Sequence, residues 1–412
     1  MNQLLRNHAE QIARGAIRAV CPDEAVRRAL ENVTLTGRVY LVAVGKAGWQ
    51  MASAALKYLP APLYRGIVVT KYRHVLHPLP GIVCYEAGHP VPDSNSILAT
   101  QAVLDMTRNL TETDTVLFLL SGGGSALFEK PLVEPELLQS VTQTMLSSGA
   151  DIVEINTVRK RLSAVKGGRF ALWCDPARIE TIILSDILGD PVDMIASGPA
   201  AADPATSQQA LEVAGKYGLA QYTDILPLLQ QETPKEISNV HTQIIGSVRE
   251  LCAAAGREAQ KLGYEPVFLT DRLDSEASDA GLWLADLLLS HRSNGQKLAL
   301  LAGGETVVHL NGTGLGGRNQ ELALAAAEKL AGVRGAAIIS VGSDGTDGPT
   351  DAAGGYADGD TLAALNSAGL DYRAMLDDND SYHALKAAGG LIFTGPTGTN
   401  VNDISIGLWN PE

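Results

Sequence analysis

Three glycine-rich segments place cations or hydroxyls where an anion would be met. In Val44-Gly45-Lys46-Ala47-Gly48 an apolar run ends in glycine and a lysine opens the next helix, so its ammonium joins a positive helix end. A surface lysine facing water is the plain alternative. The P-loop spacing G-x-x-x-x-G-K-[ST] is not met, which disfavours a P-loop kinase. Ser121-Gly122-Gly123-Gly124-Ser125 follows the apolar run Thr115–Leu120, and consecutive glycines there can form a nest of N–H groups for phosphate. A flexible strand-to-helix turn is the competing reading. Ser125 is no nucleophile elbow, because Leu127 stands where G-x-S-x-G needs its last glycine. The third segment runs from Gly303-Gly304-Glu305-Thr306 through Gly312-Thr313-Gly314-Leu315-Gly316-Gly317-Arg318-Asn319. Gly312, Gly314 and Gly317 satisfy G-x-G-x-x-G, so a dinucleotide site is weighed against a phosphoryl or carboxylate clamp using the Arg318 fork. A helix-end salt bridge is the plain alternative for Arg318.

Acidic residues follow two other apolar runs: Asp186 and Asp190 after Thr181–Ser185, then Asp344, Asp347 and Asp351 after Ala336–Val341. Aspartate after a buried strand can hold Mg²⁺ beside nucleotide phosphates, although for any one of them a turn or cap role is commoner. Asp377, Asp378 and Asp380 are expected to be solvated. Asn156, Arg159, Lys160, Ser163 and Lys166 put several cations on neighbouring helical turns ahead of Gly167 and Gly168, which suits an anion or a solvated face. His74 and His77 read as loop histidines, since no third ligand has metal spacing. His89-Pro90-Val91-Pro92-Asp93 reads as an N-cap turn or a substrate-facing loop.

These segments need elements to carry them. β-branched runs (Val39–Val44, Thr115–Leu120, Thr181–Leu184) alternate with helical stretches such as Ala47–Leu59, Glu134–Leu146 and Asn95–Leu110. That rhythm predicts βαβ units around a mostly parallel sheet, whose ligands lie beyond the carboxyl ends of the strands. The alternation resumes after Ser238, and the charged stretch Gln230–Asn239 is the expected linker, giving domains 1–235 and 236–412.

With 412 residues, two domains are expected. A formal charge of −14 offers no footprint for a nucleic-acid backbone, so nucleic acid is excluded as a partner. Four scattered cysteines form no C-x-x-C pair and suit a reducing, cytoplasmic setting. No apolar stretch is long enough to span a bilayer, and the first twenty residues read as an amphipathic helix rather than a leader. The oligomeric state stays open, with a homodimer as the assembly considered.

Taken together, the strings VGKAGWQMA, EAGHPVPD, LLSGGGSALF, NTVRKRLSAVKGGRFA, LSDILGDPVDMIASGP, AGGETVVHLNGTGLGGRNQELAL, SVGSDGTDGPTDAAGG and FTGPTGTNVNDI resemble, in order from Gly45 to Ile404, the glycerate 2-kinase family, whose C-terminal half is the MOFRL domain. The resemblance implies an α/β fold: a Rossmann-like N-terminal domain and a smaller C-terminal domain, with the active site in the cleft between them. It implies ATP-dependent, Mg²⁺-requiring phosphorylation of D-glycerate at its 2-hydroxyl. Lys46 and Arg318 would be the essential cations, and Asp186 would accept the hydroxyl proton or bind metal. Asp344 would be a second metal ligand. Ser121, Gly122, Gly123, Gly124, Ser125, Gly314, Gly316 and Gly317 would line the nucleotide phosphates, and His89, Asn156, Arg159, Lys160, Glu305 and Asn319 the substrate. The alternative, an NAD(P)H-dependent hydroxypyruvate reductase, lacks the acidic ribose ligand expected about 20 positions after the glycines, where Ala337 falls within a strand.

Overall fold

A computed structural model describes residues 1–187, 189–292 and 295–411. Contacts divide the chain into two compact units, Ala25–Ile245 on one side and Met1–Glu24 with Gly246–Glu412 on the other.

In the unit Ala25–Ile245, β1 (Val39–Val44), β2 (Leu63–Lys71), β3 (Ile82–Ala87), β4 (Thr115–Leu120), β5 (Arg178–Leu184) and β6 (Val240–Gly246) form one sheet in the order β3-β2-β1-β4-β5-β6. The pairings from β3 through β5 are all parallel. Every residue of β1 and β4 is buried, as expected of central strands covered on both faces. The core includes a cluster of Phe118, Phe128 and Phe170, with ring centroids 4.9 to 5.9 Å apart. The order is that of a Rossmann-like sheet, with its switch point between β1 and β4. The linker expected at Gln230–Asn239 lies ahead of β6, which continues this sheet, and the division by contacts falls after Ile245.

The other unit contains β7 (Glu265–Leu273), β8 (Leu298–Gly304), β9 (Ala336–Gly342), β10 (Gly354–Asp358), β11 (Leu391–Ile392) and β12 (Asp403–Trp409), ordered β11-β10-β9-β12-β8-β7. Among the described residues of this sheet, only β7 and β8 pair in parallel. The last strand, β12, inserts antiparallel between β8 and β9, so the resumed alternation yields a mixed sheet. The helix Gln3–Val20 belongs to this unit: Asn2 caps it, and its stripe of Leu5, Ala9, Ile12, Ala13, Ala16, Ile17 and Val20 is buried. Arg6 donates to the carbonyls of Gly389 and Leu391, and Thr399 Oγ1 donates to the Val20 carbonyl at 3.1 Å. No helix among the described residues is long and apolar enough to cross a membrane.

Candidate functional site

In the parallel-sheet unit, the carboxyl ends of four strands converge on one loop. Gly45 follows β1 at φ +122°, and a side chain there would strike Ser121. The Lys46 amide donates to the Gly122 carbonyl at 2.8 Å and the Ala47 amide to Ser121 Oγ at 3.0 Å, which stitches the β1 and β4 loops together. Gly123 sits at φ +85°, and a Cβ there would lie 2.9 Å from the His89 ring and 3.3 Å from Lys46 Cγ. A Cβ on Gly122 would fall 2.0 Å from Asp186 Oδ2. Lys46 from β1, His89 after β3, the glycines after β4 and Asp186 after β5 therefore meet, and only glycine permits so close a packing.

Among the described residues, the amides of Gly122, Gly123, Gly124 and Ser125 have no acceptor, and the Lys46 ammonium has no carboxylate partner. Four open N–H groups and one uncompensated cation are suited to a phosphate. His89 is pushed below its ordinary value by burial, and next by Lys46, which favours neutral imidazole. The two hydroxyls of the loop face inward instead. Ser121 Oγ accepts from Ala47, while Ser125 Oγ bonds Ser197 Oγ at 2.9 Å, which in turn donates to Asn156 Oδ1 at 2.9 Å. Ala196 and Ser197 hold φ of +52° and +60°, a costly conformation for residues with a Cβ, directly behind Gly124.

The cation-rich helix Ile152–Arg159 and the residues after it divide by role. Arg159 NH2 donates to the Ser125 carbonyl at 3.2 Å, beside the loop. The Lys160 ammonium is buried between Asp193 and Asp203, both at 3.0 Å. Asp93 caps the helix Ser94–Met106 with a capping box, so the segment after His89 is an N-cap turn.

In the mixed-sheet unit, a second cluster forms where β8 and β9 end and β12 begins. Arg318 opens the helix Arg318–Leu330 and is gripped by Asp403, with Nε to Oδ2 at 2.5 Å and NH2 to Oδ1 at 3.0 Å. Glu305 lies 3.1 Å from NH1. Asp403, which the sequence reading passed over, is buried, and burial pushes its carboxyl up to about 6 against the pull of Arg318. It pairs with Gly304 and Gly342, the last residues of β8 and β9. Asp347 caps the same helix from outside: Oδ1 accepts from the Asn319 amide at 3.1 Å and Oδ2 from the Gln320 amide at 2.8 Å. A Cβ on Gly317 would fall 2.4 Å from Asp347 Cγ. Asn319 is buried between Asp347 and Ser340, a packing position.

The G-x-G-x-x-G stretch is not a free nest. The amides of Asn311 and Gly312 donate to Asn379, those of Thr313 and Gly314 to Asp378, and that of Leu315 to Asp380. Asp378 is exposed, as expected, and Asp380 half-buried, and both clamp the loop. A Cβ on Gly314 would strike Asp380, and one on Gly316 would strike Ser381, so both glycines are explained by packing. Among the described residues the amides of Gly316, Gly317 and Arg318 have no acceptor. Asp344 Oδ1 accepts from the Thr346 amide at 2.9 Å and its hydroxyl at 3.0 Å, an Asx turn. A Cβ on Gly342 would fall 2.7 Å from the Thr346 carbonyl, with Oδ1 of Asp344 and of Asp403 3.3 and 3.5 Å away. Among the described residues no three acidic, histidine or cysteine side chains group to hold a metal.

Residues 8–230 match a family described as a domain of unknown function, DUF4147, and residues 298–403 match the MOFRL family. A D-glycerate 2-kinase from Thermotoga maritima is 51% identical over 410 residues, 98% of each chain. A glycerate 2-kinase from Pyrococcus horikoshii is 41% identical, across 95% of this chain and 94% of the relative. The crystal structure of a Thermotoga maritima glycerate kinase superposes with a TM-score of 0.94 at 50% identity, covering 99% of this chain and 100% of that one. A relative from Agrobacterium vitis named putative hydroxypyruvate reductase is 41% identical over 384 residues, 89% of this chain and 86% of the relative.

Proposed function

The chain belongs to the glycerate 2-kinase family and is a glycerate kinase with ATP as phosphoryl donor, and we propose that it phosphorylates the 2-hydroxyl of D-glycerate using Lys46, the Gly122–Ser125 amides and Arg318. The observation that carries this reading is Lys46, without a carboxylate partner among the described residues, packed against a loop whose four amides have no acceptor among them, at the β1/β4 switch point. A new bond joins the glycerate O2 to the γ-phosphorus while the bond to the ADP oxygen breaks. The transition state spreads negative charge over the equatorial phosphoryl oxygens, so positioning and positive charge are what the protein must supply. Lys46 with the loop amides, and Arg318 oriented by Asp403 and Glu305, are the groups proposed to provide these. Asp186, packed against Gly122, is the acceptor proposed for the hydroxyl proton.

Mg²⁺ belongs to the same proposal. It takes one or two carboxylates with phosphate oxygens and waters rather than an all-protein cage, which fits the two carboxylates, Asp344 and Asp403, beside Gly342. Asp344 would hold it there, with Asp186 the second candidate. When bound, the ion neutralises charge on the nucleotide phosphates. Glycerate-dependent release of ADP from MgATP tests the reading. Turnover is expected in the wild type and lost in Lys46→Ala and Arg318→Ala. ADP release independent of glycerate, or equal turnover in both variants, would count against it.

A further inference from the structure

Behind the Gly122–Ser125 loop lies a buried charge cluster that phosphate binding alone does not account for. Lys166 and Glu129 have no exposed surface. The Lys166 ammonium donates to the carbonyls of Ser125 and Phe128, both at 2.8 Å, and lies 3.3 Å from Glu129 Oε2. Arg159 NH2 reaches the same Ser125 carbonyl at 3.2 Å and lies 3.7 Å from the same Glu129 oxygen. Both Glu129 oxygens lack a hydrogen-bond donor, so the carboxylate is balanced by charge alone.

Retaining a charged lysine in a dry interior is costly, and removing it leaves Glu129 with Arg159 alone as counter-ion. What the arrangement gains is a fixed carbonyl end for the short turn Gly124–Leu127, whose amide end carries the open N–H groups. A cation on the carbonyl side and an anion on the amide side act along one peptide dipole direction.

We propose that Lys166, with Glu129 and Arg159, is a positioning device that holds the Gly122–Ser125 amides in register for the phosphates of ATP. It rests on the reading of that loop as the phosphate cradle. Lys166 touches no substrate in this account and acts through the Ser125 and Phe128 carbonyls. Burial pushes its ammonium down to about 8; Glu129 opposes that shift and Arg159 adds to it. As pH rises through that value the charge is lost, Glu129 keeps only Arg159 as counter-ion, and the loop loosens.

The test compares wild type, Lys166→Met and Glu129→Gln by hydrogen exchange at residues 121–128 and by KM for ATP and for glycerate across pH 6.5 to 9.5. Lys166→Met is expected to speed exchange at Gly122–Ser125 and raise KM for ATP by about tenfold, with glycerate KM nearly unchanged. In the wild type KM for ATP should climb near pH 8; the climb should vanish in Lys166→Met and begin at lower pH in Glu129→Gln, where Lys166 loses its counter-ion. A folded Lys166→Met protein with wild-type exchange and ATP KM overturns the proposal. Should Lys166→Met not fold, an unshifted climb in Glu129→Gln overturns it equally. Absence of glycerate-dependent turnover in the wild type would refute the kinase reading instead, while the exchange comparison would still decide the strut.

Discussion

Asp403 grips Arg318 through both carboxylate oxygens, at 2.5 and 3.0 Å, from the first residue of the strand that separates β8 from β9. Such a fork fixes the guanidinium plane as well as its place. Because burial holds the Asp403 carboxyl up at about 6, it takes up a proton as pH falls through that value and releases Arg318. An acidic limb in kcat near pH 6 is expected, with activity present above it and lost below. Asp403→Asn should lower kcat by about 10- to 100-fold and remove that limb. A pH–rate profile of the two proteins checks both.

Lys46→Ala should cost about 10²- to 10³-fold in kcat while leaving thermal stability nearly unchanged, because among the described residues its ammonium has no carboxylate partner to orphan. Steady-state kinetics beside a melting curve separate the two effects. More than about a tenth of wild-type kcat would count against its role.

Glycine at 122 and 317 is needed to accommodate a carboxylate packed against each. Gly122→Ala drives a methyl to 2.0 Å from Asp186 Oδ2, and Gly317→Ala to 2.4 Å from Asp347 Cγ. Gly122→Ala is expected to raise KM for ATP. Gly317→Ala should cost about 1–3 kcal/mol of stability, since Asp347 is buried and caps the helix Arg318–Leu330. Denaturant titration and ATP saturation curves distinguish the two.

The alternating strands and glycine loops are legible from sequence because β1 and β4 are uninterrupted apolar runs, as central parallel strands must be. The amphipathic stripe of Gln3–Val20 is equally legible, but a stripe says only that a face is buried, not which unit buries it. β12 is hidden for a related reason: its antiparallel insertion between β8 and β9 is a long-range pairing that no local pattern announces. At the site, Lys46 and the glycines are readable because loop chemistry is local. The ion pairs of Lys160 are not readable, because its partners, Asp193 and Asp203, lie 33 and 43 residues downstream. Asp403 is one aspartate among many, and its only signal is its place at the end of FTGPTGTNVNDI.

NADH oxidation with hydroxypyruvate should stay below about a hundredth of the kinase turnover. The amides from Asn311 to Leu315 in the G-x-G-x-x-G stretch are already bonded to Asp378, Asn379 and Asp380, so among the described residues only those of Gly316, Gly317 and Arg318 are left for a pyrophosphate. Following absorbance at 340 nm on the same preparation as the kinase assay checks this, and comparable rates would favour the reductase.

The central claim, transfer to the 2-hydroxyl, is tested most directly by coupling D-glycerate and MgATP to enolase with and without phosphoglycerate mutase. The account predicts that phosphoenolpyruvate forms at the same rate in both, and in neither with Lys46→Ala. Product that enolase consumes only after mutase is added would contradict it.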